Sequence, residues 1–323
     1  MEGFTQHGGR LAAAMRRWPH APRPWLDLST GVNPVPYRAP RASAAARGRL
    51  PYLEETAALE AAAGAAFGVA DPERIAATPG AEAALRLLPA LLQVEAVFIP
   101  QPTYASHADA WAVAQVAEDE AAAAAVVLVN PNNPDGRIHS RASLLAMADR
   151  LAARRGWLVV DESFADALPS PSLAASGHPA VVVIRSFGKF YGLAGLRLGF
   201  VTAAPGLIRR LRGLLGDWPV SADALTAGLA AYPDEAWRER TRARLARQSA
   251  RLDRALRRSG FDILGGTPLF RLTKAADAAR RFTRLCEQGV LTRPFADAPD
   301  RLRFGLPRPA LWPRLAAALD SLA

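Results

Sequence analysis

The fold is decided by the stretch VVVIRSFGKFYGLAGLRLGFVT, residues 181–202, which joins two apolar runs through a polar, glycine-rich turn. Continuous Val, Ile and Leu runs of this length are typical of strands that are buried on both faces, as in a mainly parallel sheet covered by helices. The turn places Ser186 and Lys189 directly after the first run. The stretch therefore predicts a buried sheet with polar side chains at the end of one of its strands.

Apolar runs of the same kind precede this stretch and alternate with helical patterns. They lie at residues 96–99, 126–129 and 157–160. Residues 144–155 predict a crossover helix that ends at Gly156, and the alanine-rich residues 54–67 predict a helix that ends near Gly68. The alternation of strands and helices indicates an α/β domain.

The character of the sequence changes towards both ends. The first 50 residues are rich in Pro, Gly and Arg and predict an arm with little regular structure. After residue 218 an arginine-rich helix at 234–258 is followed by short strands and helices, which predicts a smaller α+β unit. We therefore expect an arm at 1–50 that contributes to the small domain and the active site, a large domain at 51–218 and a small domain at 219–323.

The net charge of +10 raises the possibility of a nucleic-acid partner. The arginines of the 234–258 helix, however, are accompanied by Glu235, Glu239 and Asp253 and have no aromatic residues interleaved among them, so they favour a solvated helix face. A positive field also favours phosphorylated small molecules as ligands. We expect no nucleic-acid partner.

Cysteine and histidine usage argues against a disulfide framework or a metal centre. Cys286 is the only cysteine, and the histidines show no spacing that is typical of metal ligands. No basic segment followed by a long apolar run begins the chain, and no apolar run is long enough to span a bilayer. We expect a cytoplasmic protein without a membrane partner.

Three polar side chains follow predicted strands at even spacing. Asn133 stands in a turn after the run at 126–129, Asp161 follows the run at 157–160, and Lys189 comes 28 residues after Asp161. Because the carboxyl ends of parallel strands meet at one edge of a sheet, we expect an amide, a carboxylate and an amine to lie close together. Each residue alone is more often a turn residue, a helix cap or a surface charge, but the three in this order predict a site.

These residue types suit the chemistry of a pyridine aldehyde. A lysine beside cations or in a dry pocket becomes a nucleophile toward an aldehyde, and a carboxylate keeps a pyridine nitrogen protonated. An anion site is predicted nearby, where Gly80 and Ala81 open the helix at 81–92 with free N–H groups. Tyr104, just past the run at 96–99, is either a ring that stacks on a ligand or a core aromatic.

From about residue 27 to the C-terminus the chain resembles the fold-type I pyridoxal 5′-phosphate (PLP) enzymes of the aspartate aminotransferase superfamily. The order of the motifs matches: the glycine-led loop, Pro-Thr-Tyr, Asn-Pro-Asp-Gly, Asp-Glu, Ser-x-x-Lys and Gly-x-Arg-x-Gly. The resemblance implies the fold-type I PLP-dependent transferase fold, with a mainly parallel sheet in the large domain and a smaller α+β C-terminal domain. It implies that Lys189 forms the Schiff base with PLP and that Asp161 faces the pyridine nitrogen.

The same resemblance implies roles for the other residues around the cofactor. Asn133 would face the phenolate oxygen and Tyr104 would stack on the ring. The residues implied to bind the cofactor phosphate are Gly80, Ala81, Ser186, Arg197 and, from the partner subunit of a homodimer with shared active sites, Tyr52. One departure is Phe164, which stands where many aminotransferases place a tyrosine that donates to the phenolate oxygen.

A closer resemblance, to the threonine-phosphate decarboxylases of cobalamin biosynthesis, rests on the two ends of the chain. Its motifs are His7-Gly8-Gly9 and the segments at 26–34, 217–222 and 265–271. It implies that His7, Gly8 and Gly31 contact the substrate phosphate, with Asn133 also near the substrate, and that Arg293 and Arg303 receive substrate anions. Members of the family with Asn at the position of Gly31 use its side chain.

This resemblance implies decarboxylation of L-threonine O-3-phosphate to (R)-1-amino-2-propanol O-2-phosphate. Transamination of the histidinol-phosphate type is the alternative, and the motifs around Lys189 do not separate the two reactions. A regulator with a fused DNA-binding module is disfavoured, because no helix-turn-helix unit fits within the first 50 residues.

Overall fold

The computed structural model of the chain describes residues 3–168 and 172–322. Within them the chain forms two compact units. The first comprises residues up to 35, residues 134–137 and residues from 239 onwards, and the second comprises residues 36–133 and 138–238. The domain boundaries after residues 50 and 218 stay predictions, because compactness alone does not show which segments fold independently.

The described residues form helices and strands in alternation. The helices are α1 (Leu11–Arg17), α2 (Ala44–Arg47), α3 (Leu53–Phe67), α4 (Ala81–Leu92), α5 (Ala105–Ala110), α6 (Arg141–Ala153), α7 (Phe187–Phe190), α8 (Pro205–Leu215), α9 (Ala222–Ala231), α10 (Glu235–Arg258), α11 (Ala278–Glu287) and α12 (Trp312–Asp320). The strands are β1 (Leu26–Asp27), β2 (Ile75–Thr78), β3 (Ala96–Phe98), β4 (Gln115–Val116), β5 (Ala125–Val129), β6 (Trp157–Asp161), β7 (Val181–Ser186), β8 (Gly199–Thr202), β9 (Asp262–Thr267), β10 (Phe270–Lys274), β11 (Val290–Leu291), β12 (Arg293–Pro294) and β13 (Arg301–Gly305).

The second unit is built on a seven-stranded sheet with the order β2-β8-β7-β6-β5-β3-β4. The pairs β7–β6, β6–β5, β5–β3 and β3–β4 are parallel, whereas β8 runs antiparallel to both β7 and β2. Strands β5 and β7 are buried along their whole length, because helices cover both faces of such a sheet. The predicted α/β fold with a mainly parallel sheet is confirmed.

The predicted helices and strands of this unit are found with small shifts at their ends. The helix α3 ends at Gly68, which adopts the left-handed backbone conformation that favours glycine (φ 75°). The crossover helix α6 begins three residues before the predicted start, because Ser140 caps it by accepting a hydrogen bond from the Ser143 N–H. Strand β2 was not predicted, since its Ile-Ala-Ala-Thr sequence carries little β-propensity without its neighbour β8.

The first unit contains a four-stranded antiparallel sheet with the order β12-β13-β10-β9 and a parallel pair formed by β1 and β11. The expectation of little regular structure before residue 50 was wrong in part, since α1, β1 and α2 lie there. Strand β1 is two residues long and exists through its pairing with β11, about 260 residues later in the chain. Such a long-range contact leaves no periodic signal in the local sequence.

A buried cluster of ion pairs joins β7 to the loop that follows β6. Arg185 on β7 contacts Glu162 (Nη1 to Oε2, 2.9 Å) and Asp166, and Ser172 donates to Glu162 at 2.5 Å. The guanidinium also lies over the Phe67 ring. Burial lowers the pKa of Arg185, but the Asp166 and Glu162 carboxylates outweigh that effect and hold the pKa above its usual value. The cluster therefore fixes the loop after β6 through charge pairing.

No helix among residues 3–168 and 172–322 is long and apolar enough to cross a membrane. Over the same residues, His, Cys, Asp and Glu form no group of three or more that could hold a metal ion.

We predict that Arg185→Met lowers the free energy of unfolding by about 3–5 kcal/mol, because it leaves two carboxylates buried without their cation. The measurement is urea unfolding followed by circular dichroism. Arg209→Met is the matched control, since the Arg209–Glu73 pair is exposed (66% and 65% of the side chains) and should contribute less than about 1 kcal/mol. Equal effects of the two substitutions would contradict the prediction.

Candidate active site

Strands β5, β6 and β7 are neighbours in the sheet, and their carboxyl ends open into one cleft of about 150 Å³. The residues that line it are Ala81, Glu82, Leu85, Tyr104, Val129, Asn133, Asp161, Ser163, Phe164, Ser186, Lys189 and Arg197. Seven of the nine residues predicted to bind the cofactor are among them, and Gly80 directly precedes Ala81. All of them belong to the second unit. Their cofactor-binding roles stay predictions.

Asp161, the last residue of β6, is a buried carboxylate with several hydrogen bonds. His107 Nε2 donates to its Oδ2 at 3.1 Å, while the Ser163 hydroxyl and backbone N–H donate to its Oδ1 at 2.5 and 2.9 Å. Burial raises the pKa of Asp161, but the hydrogen bond and charge of His107 and the two bonds from Ser163 outweigh burial and hold the pKa below its usual value. Asp161 therefore carries a negative charge at neutral pH.

His107 is the residue of this site that the sequence analysis missed. It is buried on α5, and its ring lies 6.1 Å from that of Tyr104 in an edge-on arrangement. A helix that begins after Tyr104 places residues three apart on one face. The three-residue spacing of Tyr104 and His107 is therefore the sequence feature that could have placed His107 near the site. Without the fold, nothing in the sequence connects His107 to Asp161.

Lys189 lies on α7, the single helical turn that follows β7. Ser186 is the residue before this turn, and both side chains line the cleft. The Lys189 Nζ lies 5.7 Å from the centroid of the Phe164 ring, which is itself buried. Phe164 therefore gives the amine an apolar neighbour at the position where the resemblance places a tyrosine in many aminotransferases.

Gly80, Ala81 and Arg197 form the predicted anion site. Gly80 has φ 92°, and a Cβ on it would lie 2.6 Å from Arg197 Nη2, so only glycine lets the guanidinium approach the start of α4. Arg197 lies two residues before β8, and because β8 is antiparallel its first residue, Gly199, lies at the edge where β7 ends. The free N–H groups of α4 and a guanidinium thus meet at one place, which suits a phosphate.

Tyr104 lies half-buried in the cleft. Its hydroxyl donates to Glu82 Oε2 at 3.3 Å, and burial, with the Glu82 and Asp161 charges in support, raises the pKa of the phenol. The phenol therefore stays protonated, and the ring is held by Glu82 on α4 as well as by its contact with His107.

Tyr52 is the predicted cofactor ligand that does not line this cleft. It is 57% exposed, and the Arg49 guanidinium stacks on its ring at 3.7 Å. Its backbone N–H donates to Glu55, which also pairs with Arg49. Tyr52 is thus presented on the surface by a small polar cluster.

The residues predicted to bind the substrate, apart from Asn133, lie in the first unit. Arg293 on β12 and Arg303 on β13 are directly opposite each other in the antiparallel ladder, and both are more than 90% buried. Like charges at such positions repel each other, so two buried arginines there favour an anionic ligand.

The N-terminal segment lies along these arginines. Arg293 Nη2 donates to the Gln6 carbonyl at 3.2 Å, and His7 and Gly8 follow in the chain. Gly8 is so close to Ser29 that a Cβ on it would lie 2.3 Å from the Ser29 carbonyl oxygen. Gly31, two residues after Ser29 in the chain, is also buried. The substrate-binding roles of these residues stay predictions.

Comparison with known proteins gives relatives that span nearly the whole chain. The chain is 41% identical to the threonine-phosphate decarboxylase of Pseudomonas aeruginosa over 98% of its length and 97% of the relative's. A Sinorhizobium protein of the same name is also 41% identical, with 97% of both chains covered. The histidinol-phosphate aminotransferase of Symbiobacterium thermophilum is 33% identical over 77% of this chain and 69% of its own.

Solved structures share the fold at lower identity. The L-threonine-O-3-phosphate decarboxylase of Porphyromonas gingivalis superposes with a TM-score of 0.78 and 21% identity, over 91% of this chain and 98% of that chain. The histidinol-phosphate aminotransferase of Sinorhizobium meliloti, solved with pyridoxal-5′-phosphate, gives a TM-score of 0.81 and 22% identity, over 97% and 95%. The family model described as aminotransferase class I and II matches residues 112–319. With this match and the near full-length relatives, the chain belongs to the aminotransferase class I and II family.

Proposed function

We propose that this chain is a PLP-dependent enzyme that decarboxylates L-threonine O-3-phosphate to (R)-1-amino-2-propanol O-2-phosphate, in cobalamin biosynthesis as the sequence resemblance implies. The observation that carries the proposal is the 41% identity to two threonine-phosphate decarboxylases over nearly the full length of both chains. The histidinol-phosphate aminotransferase relative is less similar and covers less of the chain.

The residues of the cleft fit PLP. The buried Asp161 carboxylate, which stays ionised, suits a protonated pyridine nitrogen. A Cβ at residue 80 would clash with Arg197, so the glycine there allows the close approach of the guanidinium that suits an anion. We propose that Asp161 holds the pyridine nitrogen, Asn133 the phenolate oxygen and Tyr104 the ring face. The phosphate would be held by Gly80, Ala81, Ser186 and Arg197, and Lys189 would bind the cofactor covalently.

When bound, PLP supplies an electron sink for the negative charge that develops at the substrate Cα. In decarboxylation the Cα–carboxylate bond breaks, its electron pair stays on Cα, and Cα takes up a proton. Lys189 Nζ, once the substrate amine has taken its place on the cofactor, is the amine of the cleft that can hold and deliver this proton. Asp161, with its pKa held low by His107 and Ser163, does not compete for it.

The substrate of this proposal carries two anionic groups, a phosphate and a carboxylate. Two buried arginines opposite each other in a sheet, Arg293 and Arg303, suit such a ligand, because guanidinium groups bind both kinds of oxyanion through paired hydrogen bonds. We propose that they receive the substrate anions together with His7, Gly8 and Gly31. Fixing both ends of the substrate would decide which Cα bond breaks.

We also propose that the enzyme is a homodimer, in which Tyr52 reaches the cofactor phosphate of the partner subunit. The support is an exposed apolar patch on the second unit, formed by Leu50, Tyr52, Leu53, Leu214 and Trp218, each more than 50% exposed. Leu53 lines one groove together with Leu215, Gly216, Asp217 and Pro219, which adjoin Leu214 and Trp218 in the sequence. Location in the cytoplasm remains an expectation from the sequence.

The proposed reaction predicts release of one CO2 for each L-threonine phosphate consumed, with aminopropanol phosphate as the product and no need for a 2-oxo acid. Purified enzyme loaded with PLP is incubated with the substrate, and both products are quantified. Lys189→Ala should abolish turnover and the visible absorbance band of the bound cofactor. Conversion that requires a 2-oxo acid and releases no CO2 would sink the decarboxylase proposal in favour of the aminotransferase alternative.

The anion site predicts that Gly80→Ala weakens PLP binding at least tenfold, because the added Cβ displaces Arg197 from the start of α4. Binding is measured by titrating apoenzyme with PLP and following the absorbance. Gly195→Ala is the matched control, since a Cβ on Gly195 meets nothing within 4 Å although the residue lies only two positions before Arg197. Equal Kd values for PLP in the two variants would refute the proposed site.

The patch predicts that Leu53→Glu converts a dimer into a monomer, because the charge would be buried in an apolar interface. Sedimentation velocity measures the change in mass. Val113→Glu is the control, since Val113 is 84% exposed but is not among the patch residues. A wild-type protein that sediments as a monomer, or a Leu53→Glu variant that stays dimeric, contradicts the proposal.

A further inference from the structure

We infer that Ser29 is a positioning residue that holds the N-terminal segment 6–9 and Arg303 in place for the anionic groups of the substrate. The inference rests on the proposed function for the identity of the ligand. Ser29 is 2% exposed, lies in the first unit just after β1, and was not among the residues that the sequence analysis singled out.

The hydroxyl of Ser29 connects two segments of chain. It donates to Asp27 Oδ1 at 2.5 Å and accepts a hydrogen bond from the Gly9 N–H at 2.8 Å. The Ser29 backbone N–H donates to the same Asp27 oxygen at 3.0 Å. Because Asp27 takes the hydroxyl proton, a lone pair of the Ser29 oxygen is directed to Gly9. The side chain thus fixes the distance between the N-terminal segment and β1.

The backbone carbonyl of Ser29 makes the second connection. It accepts a hydrogen bond from Arg303 Nη2 at 2.8 Å, in a fully buried position. The same carbonyl oxygen leaves no space for a side chain at residue 8, because a Cβ added to Gly8 would lie 2.3 Å from it. One residue therefore sets the position of Arg303 on β13 and the path of the chain at Gly8.

The N-terminal segment is fixed on both sides of His7. On one side the Gln6 carbonyl accepts from Arg293, and on the other the Gly9 N–H donates to Ser29. Further towards the N-terminus, Phe4 is buried against Trp18 and Phe282, with ring centroids 5.7 Å apart in both cases. With Phe4 anchored by packing, loss of the Ser29 bond would release the residues around His7 without detaching the whole segment.

The consequence is a specific effect on substrate binding. A segment held by Ser29 presents His7 and Gly8 at a defined position, whereas a released segment must be ordered by the substrate at a cost in binding free energy. The cleft residues Lys189 and Asp161 belong to the second unit, whereas Asp27, Gly9 and Arg303, to which Ser29 is hydrogen-bonded, belong to the first. Ser29 should therefore influence KM far more than kcat.

The test is Ser29→Ala in the PLP-loaded full-length enzyme with L-threonine phosphate as substrate. We expect KM to rise about tenfold, as for one lost hydrogen bond, with kcat within twofold of the wild type and an unchanged cofactor absorbance band. Ser249→Ala is the matched control, because Ser249 is also buried in the first unit and its hydroxyl donates only to the Ala246 carbonyl within its own helix. A purely structural role would instead lower thermal stability and reduce kcat and the amount of active enzyme together.

A second measurement does not depend on turnover. Amide hydrogen exchange of the peptide that covers residues 3–10 should be at least severalfold faster in Ser29→Ala than in the wild type and in Ser249→Ala, because the Gly9 N–H has lost its acceptor. Unchanged exchange, or an unchanged KM in a variant whose segment does exchange faster, overturns the inference.

The two proposals fail in different ways. If the wild-type enzyme releases no CO2 from L-threonine phosphate, the proposed function fails, and exchange at residues 3–10 still reports whether Ser29 holds the segment. If the wild type decarboxylates the substrate and Ser29→Ala behaves like Ser249→Ala, the function stands and the positioning role of Ser29 is wrong.

Discussion

A buried carboxylate that must stay ionised is the constraint on which the large unit depends. Asp161 loses nearly all contact with solvent, and desolvation alone would raise its pKa. The fold compensates with His107 from α5 and with the hydroxyl and backbone N–H of Ser163. The next residue, Glu162, points to the opposite side of the strand and pairs with Arg185. The two consecutive acidic residues thus have different roles. Asp161 stays charged in the cleft, and Glu162 anchors the loop that follows β6.

The direction of a single strand has a comparable effect on the anion site. In a fully parallel sheet the segment that leads into β8, which includes Arg197, would lie at the edge opposite the cleft. Because β8 is antiparallel to both neighbours, Arg197 lies at the edge where β2 and β7 end, beside Gly80 and close to Ser186. The left-handed backbone of Arg197 (φ 55°) turns the chain into β8 at this point. The one strand that departs from the parallel direction therefore supplies the guanidinium of the cleft.

The sequence predicts the second unit far better than the first. Long apolar runs specify β5, β6 and β7 locally, and strand ends give the positions of Asn133, Asp161 and Lys189, so both the α/β fold and the membership of the cleft follow from pattern. His107 and Ser29 escape notice for the same reason: each acts through a partner that only the folded chain brings near, 54 residues away for His107 and 20 for Ser29 and Gly9. Short strands such as β1 and β2 are likewise created by pairing rather than by propensity.

The two units also differ in how their predicted site residues are held, and under the proposed function this difference bears on the choice of reaction. In the second unit several polar side chains of the cleft, among them Glu82, Asp161 and Ser186, are placed by the end of a strand or the start of a helix, which are rigid supports. In the first unit His7 and Gly8 lie on a segment without regular structure, between a hydrogen bond from Arg293 and one to Ser29. Under the proposed function, these less constrained residues orient the substrate. Orientation, rather than a different set of catalytic groups, would then separate loss of CO2 from transfer of an amino group.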